Sequence, residues 1–198
     1  MILKVTKYLV QVSANFKTMK NSIIILLIIG YSCVNAQTAR ISNSDFDGMS
    51  LNNKITFYEL YNMQEGNWNE ITSALGMPSN SEICKVHTIG TDCTFDYNGM
   101  RMIYVGPDHK DYHLSRIELT SSSHFISYKG SVIRVGESGS TKLASSFPIA
   151  WQQRTISNAD PNISIAQLYV GESDTTSFGF QIDNTTGEIV KIFYLDYY

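Results

Sequence analysis

Cys93-Thr-Phe-Asp-Tyr97, Asn98-Gly99 and Met100-Arg-Met-Ile-Tyr-Val105 form the stretch that decides the fold class. Two runs rich in β-branched and aromatic residues flank an Asn-Gly pair. Both of those residues tolerate the positive φ of a two-residue turn, so the runs are expected to pair antiparallel as a hairpin. Upstream, Ile83 to Ile89 has the same strand character. Downstream, Gly106-Pro107-Asp108 breaks the pattern and Tyr112 to Leu119 resumes it, with Leu114, Ile117 and Leu119 set against Ser115, Arg116 and Glu118. An antiparallel meander is predicted.

Further out, the pattern changes period. Asn67 is placed to cap a helix with Glu70 three residues on, and Trp68, Ile71 and Leu75 share one helical face. Gly76 and Pro78 end it. Before it, Ile55 to Tyr61 reads as a strand candidate, and the Ser-, Asn- and Asp-rich segment up to Asn53 reads as an irregular polar leader. The second half follows the same order. Val132 to Val135 is a strand candidate, and Ser138 to Phe147 is a short helix stopped by Pro148. Ile163 to Val170, Ser177 to Ile182 and Glu188 to Leu195 are strands, with a turn at Asn184-Thr-Thr-Gly187. Ile71 and Leu75 align with Leu143 and Phe147 at an offset of 72, and Leu114 to Ile117 align with Ile189 to Ile192 at 75. Near-equal offsets imply a tandem duplication. The expected architecture is therefore α+β: two tandem modules, residues 55–125 and 126–198, each a short helix plus a mainly antiparallel meander. They follow a signal peptide (1–36) and a polar leader (37–54).

A short helix ending in Leu75-Gly-Met-Pro78 or Phe147-Pro148, followed by a meander and then repeated, resembles the tandem modules of β-lactamase-inhibitor-protein-like domains. It is also similar to the module of small outer-membrane lipoproteins. The resemblance spans Ile55 to the C-terminus and rests on element order, so no functional residue carries over by position. It implies an exported, non-catalytic protein that offers a sheet face to another protein.

Composition and charge narrow the function. The chain has 198 residues, 43% of them hydrophobic, which excludes disorder. A net charge of -3 argues against neutralising a run of phosphates, so nucleic acid is not an expected partner. Lys20, the apolar run Ile23 to Ile29 and the small-residue exit through Val34 and Ala36 read as a secretory signal cut after Ala36. The run from Ile23 to Tyr31 is about half the roughly 20 residues a spanning helix needs. Cleavage before Cys33 with lipidation of that cysteine is the rival reading, against which Gly30 stands where an aliphatic residue is required. Membrane attachment is expected only in that case. Either route exports the chain, to the periplasm or beyond the cell. From Gln37 on, the chain carries 11 basic and 18 acidic side chains. Cys84 and Cys93, the cysteines remaining there, are expected to form a structural disulfide in an oxidising compartment.

Chemistry is harder to find. Asp108-His109-Lys110-Asp111-Tyr112-His113 is the densest set of metal-ligating types, but Lys110 in its middle repels a cation, and it reads as a solvated loop. Gly136-Glu-Ser138-Gly-Ser140 is not a nucleophile elbow, and its serines sit where they would cap a helix. Asp92, Asp96, Glu118, Asp174 and Asp183 are dispersed, and glycoside hydrolysis would need two of them to converge. No phosphate loop or nucleotide fingerprint is present. No catalytic, cofactor or metal site is therefore assigned. Aromatic content remains, and Trp68, Trp151, Tyr194, Tyr197 and Tyr198 are the candidate anchors for a partner. Tyr194 to Tyr198 would serve best if it ended on an edge strand. The expected function is non-enzymatic binding of another envelope or extracellular protein through a sheet face. An exported hydrolase of glycans or peptides and a small-ligand or lipid carrier are the alternatives.

Overall fold

The computed structural model describes residues 38–62, 68–80, 84–87, 90–106 and 112–197. The expected N-terminal signal and Cys33 lie outside these residues, as do Asn67, Tyr198 and residues 107–111.

The Asn98-Gly99 hairpin forms as expected. Gly90–Tyr97 (β5) and Met100–Gly106 (β6) pair antiparallel with Tyr97 opposite Met100, and Gly99 takes φ 82°. Cys84–His87 (β4) adds to the free side of β5, with Cys84 directly opposite Cys93, and the two are joined as a disulfide. His113–Leu119 (β7) extends the meander on the other side of β6, through a bulge between Ile103 and Tyr104. Ile163–Val170 (β11), Thr176–Asp183 (β12) and Ile189–Asp196 (β13) form a second antiparallel run.

Two separate modules are not what results. β13 pairs antiparallel with β7, from Ile192 opposite Leu119 to Leu195 opposite Arg116, so both runs belong to one sheet. With Arg40–Ile41 (β1) parallel to β11 and Thr155–Ile156 (β10) beside it, the sheet has nine strands. The chain is mostly β, and the tandem helix-plus-sheet reading is corrected. The reason is elementary: separate meanders would each expose an unpaired row of backbone N–H and C=O groups on β7 and β13, and pairing them satisfies both rows. It also makes β13 an interior strand, so the C-terminal segment is not an edge.

A second sheet of four strands overrides the sequence boundaries: Ser50–Leu51 (β2), Ile55–Thr56 (β3), Phe125–Tyr128 (β8) and Ser131–Arg134 (β9), in the order β3-β2-β8-β9. β2 lies between β3 and β8, and thus joins the expected leader to both expected modules. The leader is itself structured. It carries β1, the helix Asn43–Asp47 (α1) and β2, and it buries Ala39, Ile41, Phe46, Met49 and Leu51. Ile55 to Tyr61 is a strand for two residues only. Phe57–Tyr61 is a helix (α2), started by a reciprocal capping box in which Thr56 Oγ1 accepts from Glu59 N and Glu59 Oε2 accepts from Thr56 N. Trp68–Leu75 (α3), Gly139–Ser146 (α4) and Pro148–Gln152 (α5) complete the helices.

Every helix packs on one face of the nine-stranded sheet. Phe46 of α1 and Phe57 of α2 meet Tyr194 and Phe178, and Trp68 of α3 meets Phe95, Tyr104 and Tyr112. Phe147, between α4 and α5, meets Phe180. The Tyr104 hydroxyl donates to Leu60 O at 2.9 Å, tying α2 to the middle of the sheet. Alternating residues of β5, β6, β7, β11, β12 and β13 fill this side with Phe95, Met102, Ile117, Leu168, Phe180 and Ile192, all buried. The opposite face has no layer over it among the described residues.

Candidate functional site

The outer face is built from the residues between the buried ones. It runs from Tyr169, Gln167 and Ile165 on β11 through Ser177, Gly179 and Gln181 on β12 to Leu195, Phe193 and Lys191 on β13. It continues over Arg116 and Glu118 of β7 to Ile103 and Arg101 of β6 and to Asp92, Thr94 and Asp96 of β5. At its centre Phe193 lies across Gly179. A Cβ on Gly179 would meet Phe193 Cζ at 2.6 Å and Ala166 O at 2.9 Å, so glycine is required by close approach. Charges here are mutually compensated: Lys191 Nζ is 2.6 Å from Glu118 Oε1, Arg116 is 4.0 Å from the same oxygen, and Arg101 Nε is 2.5 Å from Asp96 Oδ1. Ile103, Leu195, Tyr169 and Ile165 stand half-buried among them. The surface is broad, holds three basic side chains against two carboxylates at its centre, and has apolar side chains spread across it.

Two open grooves of about 320 Å³ each interrupt the surface. One lies on the outer face over β4 to β6, lined by Lys85, His87, Asp92, Asp96, Arg101 and neighbours. It brings two of the dispersed carboxylates together, as a glycosidase would need. Asp92 and Asp96 are four residues apart on one strand, however, a separation of ~13 Å by strand rise, wider than either glycosidase geometry. Each is also held by a neighbour, Asp96 by Arg101 and Asp92 by His87 at 3.5 Å. Of the other three, Glu118 pairs with Lys191, Asp174 pairs with Arg40, and Asp183 caps the turn into β13 by accepting from Thr185 N and Thr186 N. The Thr186 and Thr185 backbone N–H groups hold the Asp183 carboxyl below its ordinary range. Among the described residues, no three His, Cys, Asp or Glu side chains gather as a metal would require.

The second groove lies at the other end of the molecule. Asn43, Phe46 and Asp47 of α1 face Tyr58, Tyr61 and Asn62 of α2, and Val170, Ser173 and Thr176 close it from β11, the following loop and β12. The sequence does not show it, because Ile55 to Tyr61 reads as a strand candidate, and a strand puts Tyr58 and Tyr61 on opposite faces. The Thr56-x-x-Glu59 capping signature would have revealed a helix with both tyrosines on one side.

The candidate anchors separate. Trp68 is half-buried and packs against the core at Phe95 and Tyr104. Tyr194 is fully buried against Phe46 and Phe57, which removes it as an anchor. Trp151 is half-buried with the Arg154 guanidinium 3.9 Å above its ring, so one side is already occupied. Tyr197 is 64% exposed just beyond β13. Of the serines expected to cap, Ser138 stands at the N-cap of α4 but its hydroxyl contacts Ser140 and not a backbone N–H, and Ser140 lies inside the helix.

No family model matches the chain, and none of the curated proteins matches it. Among solved structures it is similar to an extracellular SCP-domain protein from Bacillus anthracis str. Ames at 9% identity and a TM-score of 0.40, covering 72% of this chain. The chain spans 46% of that protein's length. Among the described residues no helix is long and apolar enough to cross a membrane. The Cys84–Cys93 bridge fits an oxidising, extracytoplasmic compartment.

Proposed function

We propose that the protein is an exported, non-catalytic binding module that docks a folded protein partner on the outer face of its nine-stranded sheet. The observation that carries this reading is the composition of that face: half-buried apolar side chains at its centre, mutually paired charges between them, and no covering layer among the described residues. Six strands of seven or eight residues, at ~4.8 Å spacing and ~3.4 Å rise, present roughly 29 by 25 Å. That is about 700 Å², close to one partner's share of a standard interface. The excess of 18 acidic over 11 basic side chains from Gln37 on favours a neutral or basic partner surface. Half-buried Tyr169, Leu195 and Ile103 take the anchor role that the buried Tyr194 does not.

Site-specific photocrosslinking tests it. A crosslinker at Leu195 or Ile103 should trap one defined partner in intact cells, and the same group at Lys54 should not. Equal trapping at all three positions, or none at the sheet positions, would overturn the proposal. Purified chain that turns over glycan or peptide substrates would restore the hydrolase reading.

A further inference from the structure

We propose that the groove between α1, α2 and the β11–β12 loop binds a short, uncharged saccharide. The site is separate from the sheet face and its ligand is of a different class.

Tyr58 and Tyr61 project from the same side of α2, 57% and 39% exposed, while Phe57 and Leu60 turn into the core. Exposed tyrosines at a spacing of three on a helix pinned by its capping box form a rigid aromatic wall, suited to the C–H face of a sugar ring. Phe46 forms part of the lining, fixed from behind by stacking on Tyr194.

The remaining lining matches hydroxyl groups. Asn43 and Asp47 have no side-chain hydrogen bond or ion pair with the described residues. The Asn62 amide donates to Tyr58 O and keeps its oxygen as an acceptor. Thr176 Oγ1 donates to Asp196 Oδ1 at 2.9 Å and can still accept. Hydroxyls both donate and accept, so a polyol can use the Asp47 carboxylate, the two amides and the threonine together.

Charge argues against an anion: among the described residues no basic side chain lines the groove and the Asp47 carboxylate has no ion-pair partner. Behind the lining, the Arg40 guanidinium donates to Gly171 O and Ser173 O at 3.0 and 3.1 Å. Those bonds, with the Arg40–Asp174 pair at 2.5 Å, hold the loop in place, and Gly171 lies so close to Asn43 that a Cβ there would be 2.3 Å from Asn43 Oδ1. The walls are thus preformed, which lowers the ordering cost of binding. A groove of about 320 Å³ is at the small end of ligand sites and suits a short saccharide.

Saturation-transfer NMR on the chain from Gln37, with its disulfide formed, tests this. The probes are glucose, galactose, mannose, N-acetylglucosamine, cellobiose and chitobiose, with choline and inorganic phosphate as charged comparators. At least one saccharide should bind in the millimolar range or tighter. Tyr58→Ala and Tyr61→Ala should each weaken it about tenfold, and Asp47→Asn severalfold, with unchanged circular dichroism. Leu195→Glu on the sheet face should leave saccharide binding intact, which keeps this result distinguishable from failure of the docking proposal. Absence of binding by all six saccharides, preferential binding of choline or phosphate, or saccharide binding indifferent to Tyr58 and Tyr61 would overturn it.

Discussion

At the scale of single residues, His124 shows how a polar side chain joins two elements. Asn52, at φ 56° in the turn between β2 and β3, accepts from Phe125 N at 3.0 Å, which orients its amide so that Nδ2 donates to His124 Nδ1. His124 Nε2 then donates to Asn98 O at 3.2 Å, at the turn of the β5–β6 hairpin. This pattern needs the neutral ring, because a protonated Nδ1 cannot accept. Partial burial lowers the His124 pKa below its ordinary 6.5, with the Asn98 carbonyl opposing. The folded state therefore binds its proton less readily than the unfolded chain, and its stability falls as pH drops from 6.5 through the lowered value. The urea midpoint should decline between pH 7 and pH 5, and His124→Gln should flatten that decline. Glu59 and Asp183, held low by N–H groups of Thr56 and of the Thr186 turn, lose their contributions only at more acidic pH, so the two windows separate. An equal decline in the variant would refute the assignment. None of these pairings is visible in the sequence, since Asn52 and His124 are 72 residues apart.

At the scale of elements, local signals were readable where the chemistry is local. The Asn98-Gly99 hairpin, the Cys84–Cys93 bridge, and helices at 68–75 and 139–146 all rest on neighbours within a few residues. α2 is less legible even though its capping box is equally local, because five residues carry little more than one helical turn and aromatic runs favour strands. Thr56→Ala should cost about 1 kcal/mol by removing the cap. The variant should also raise amide exchange in Tyr58 to Tyr61, while the sheet amides stay protected. Uniform loosening would mean that the cap supports the whole fold and not α2 alone.

At the scale of the molecule, the two strand runs are one cooperative body. β7 gains its second neighbour only from β13, and β2 gains its second only from β8. A fragment of residues 37–125 should therefore lack stable structure by NMR, and the chain from Gln37 should unfold in a single urea transition. A folded fragment would rescue independence of the halves. The sheet-face and groove proposals also belong to this scale. The face combines residues of β5, β6, β7, β11, β12 and β13, and the groove draws on residues 43 to 176.

The sequence by itself determined the export signal as an expectation, the acidic balance, the cysteine pairing, and the turns and helix stops that depend on Gly, Pro and Asn a few residues away. It did not determine which strands meet across the seam, which face stays open, or which aromatics are buried. Alternation tells that a strand has two faces, but not which of them a helix covers. Only when β7 and β13 pair does Tyr194 turn inward and Phe193 outward. Burial is a property of three-dimensional neighbours, and those neighbours lie up to a whole chain length away.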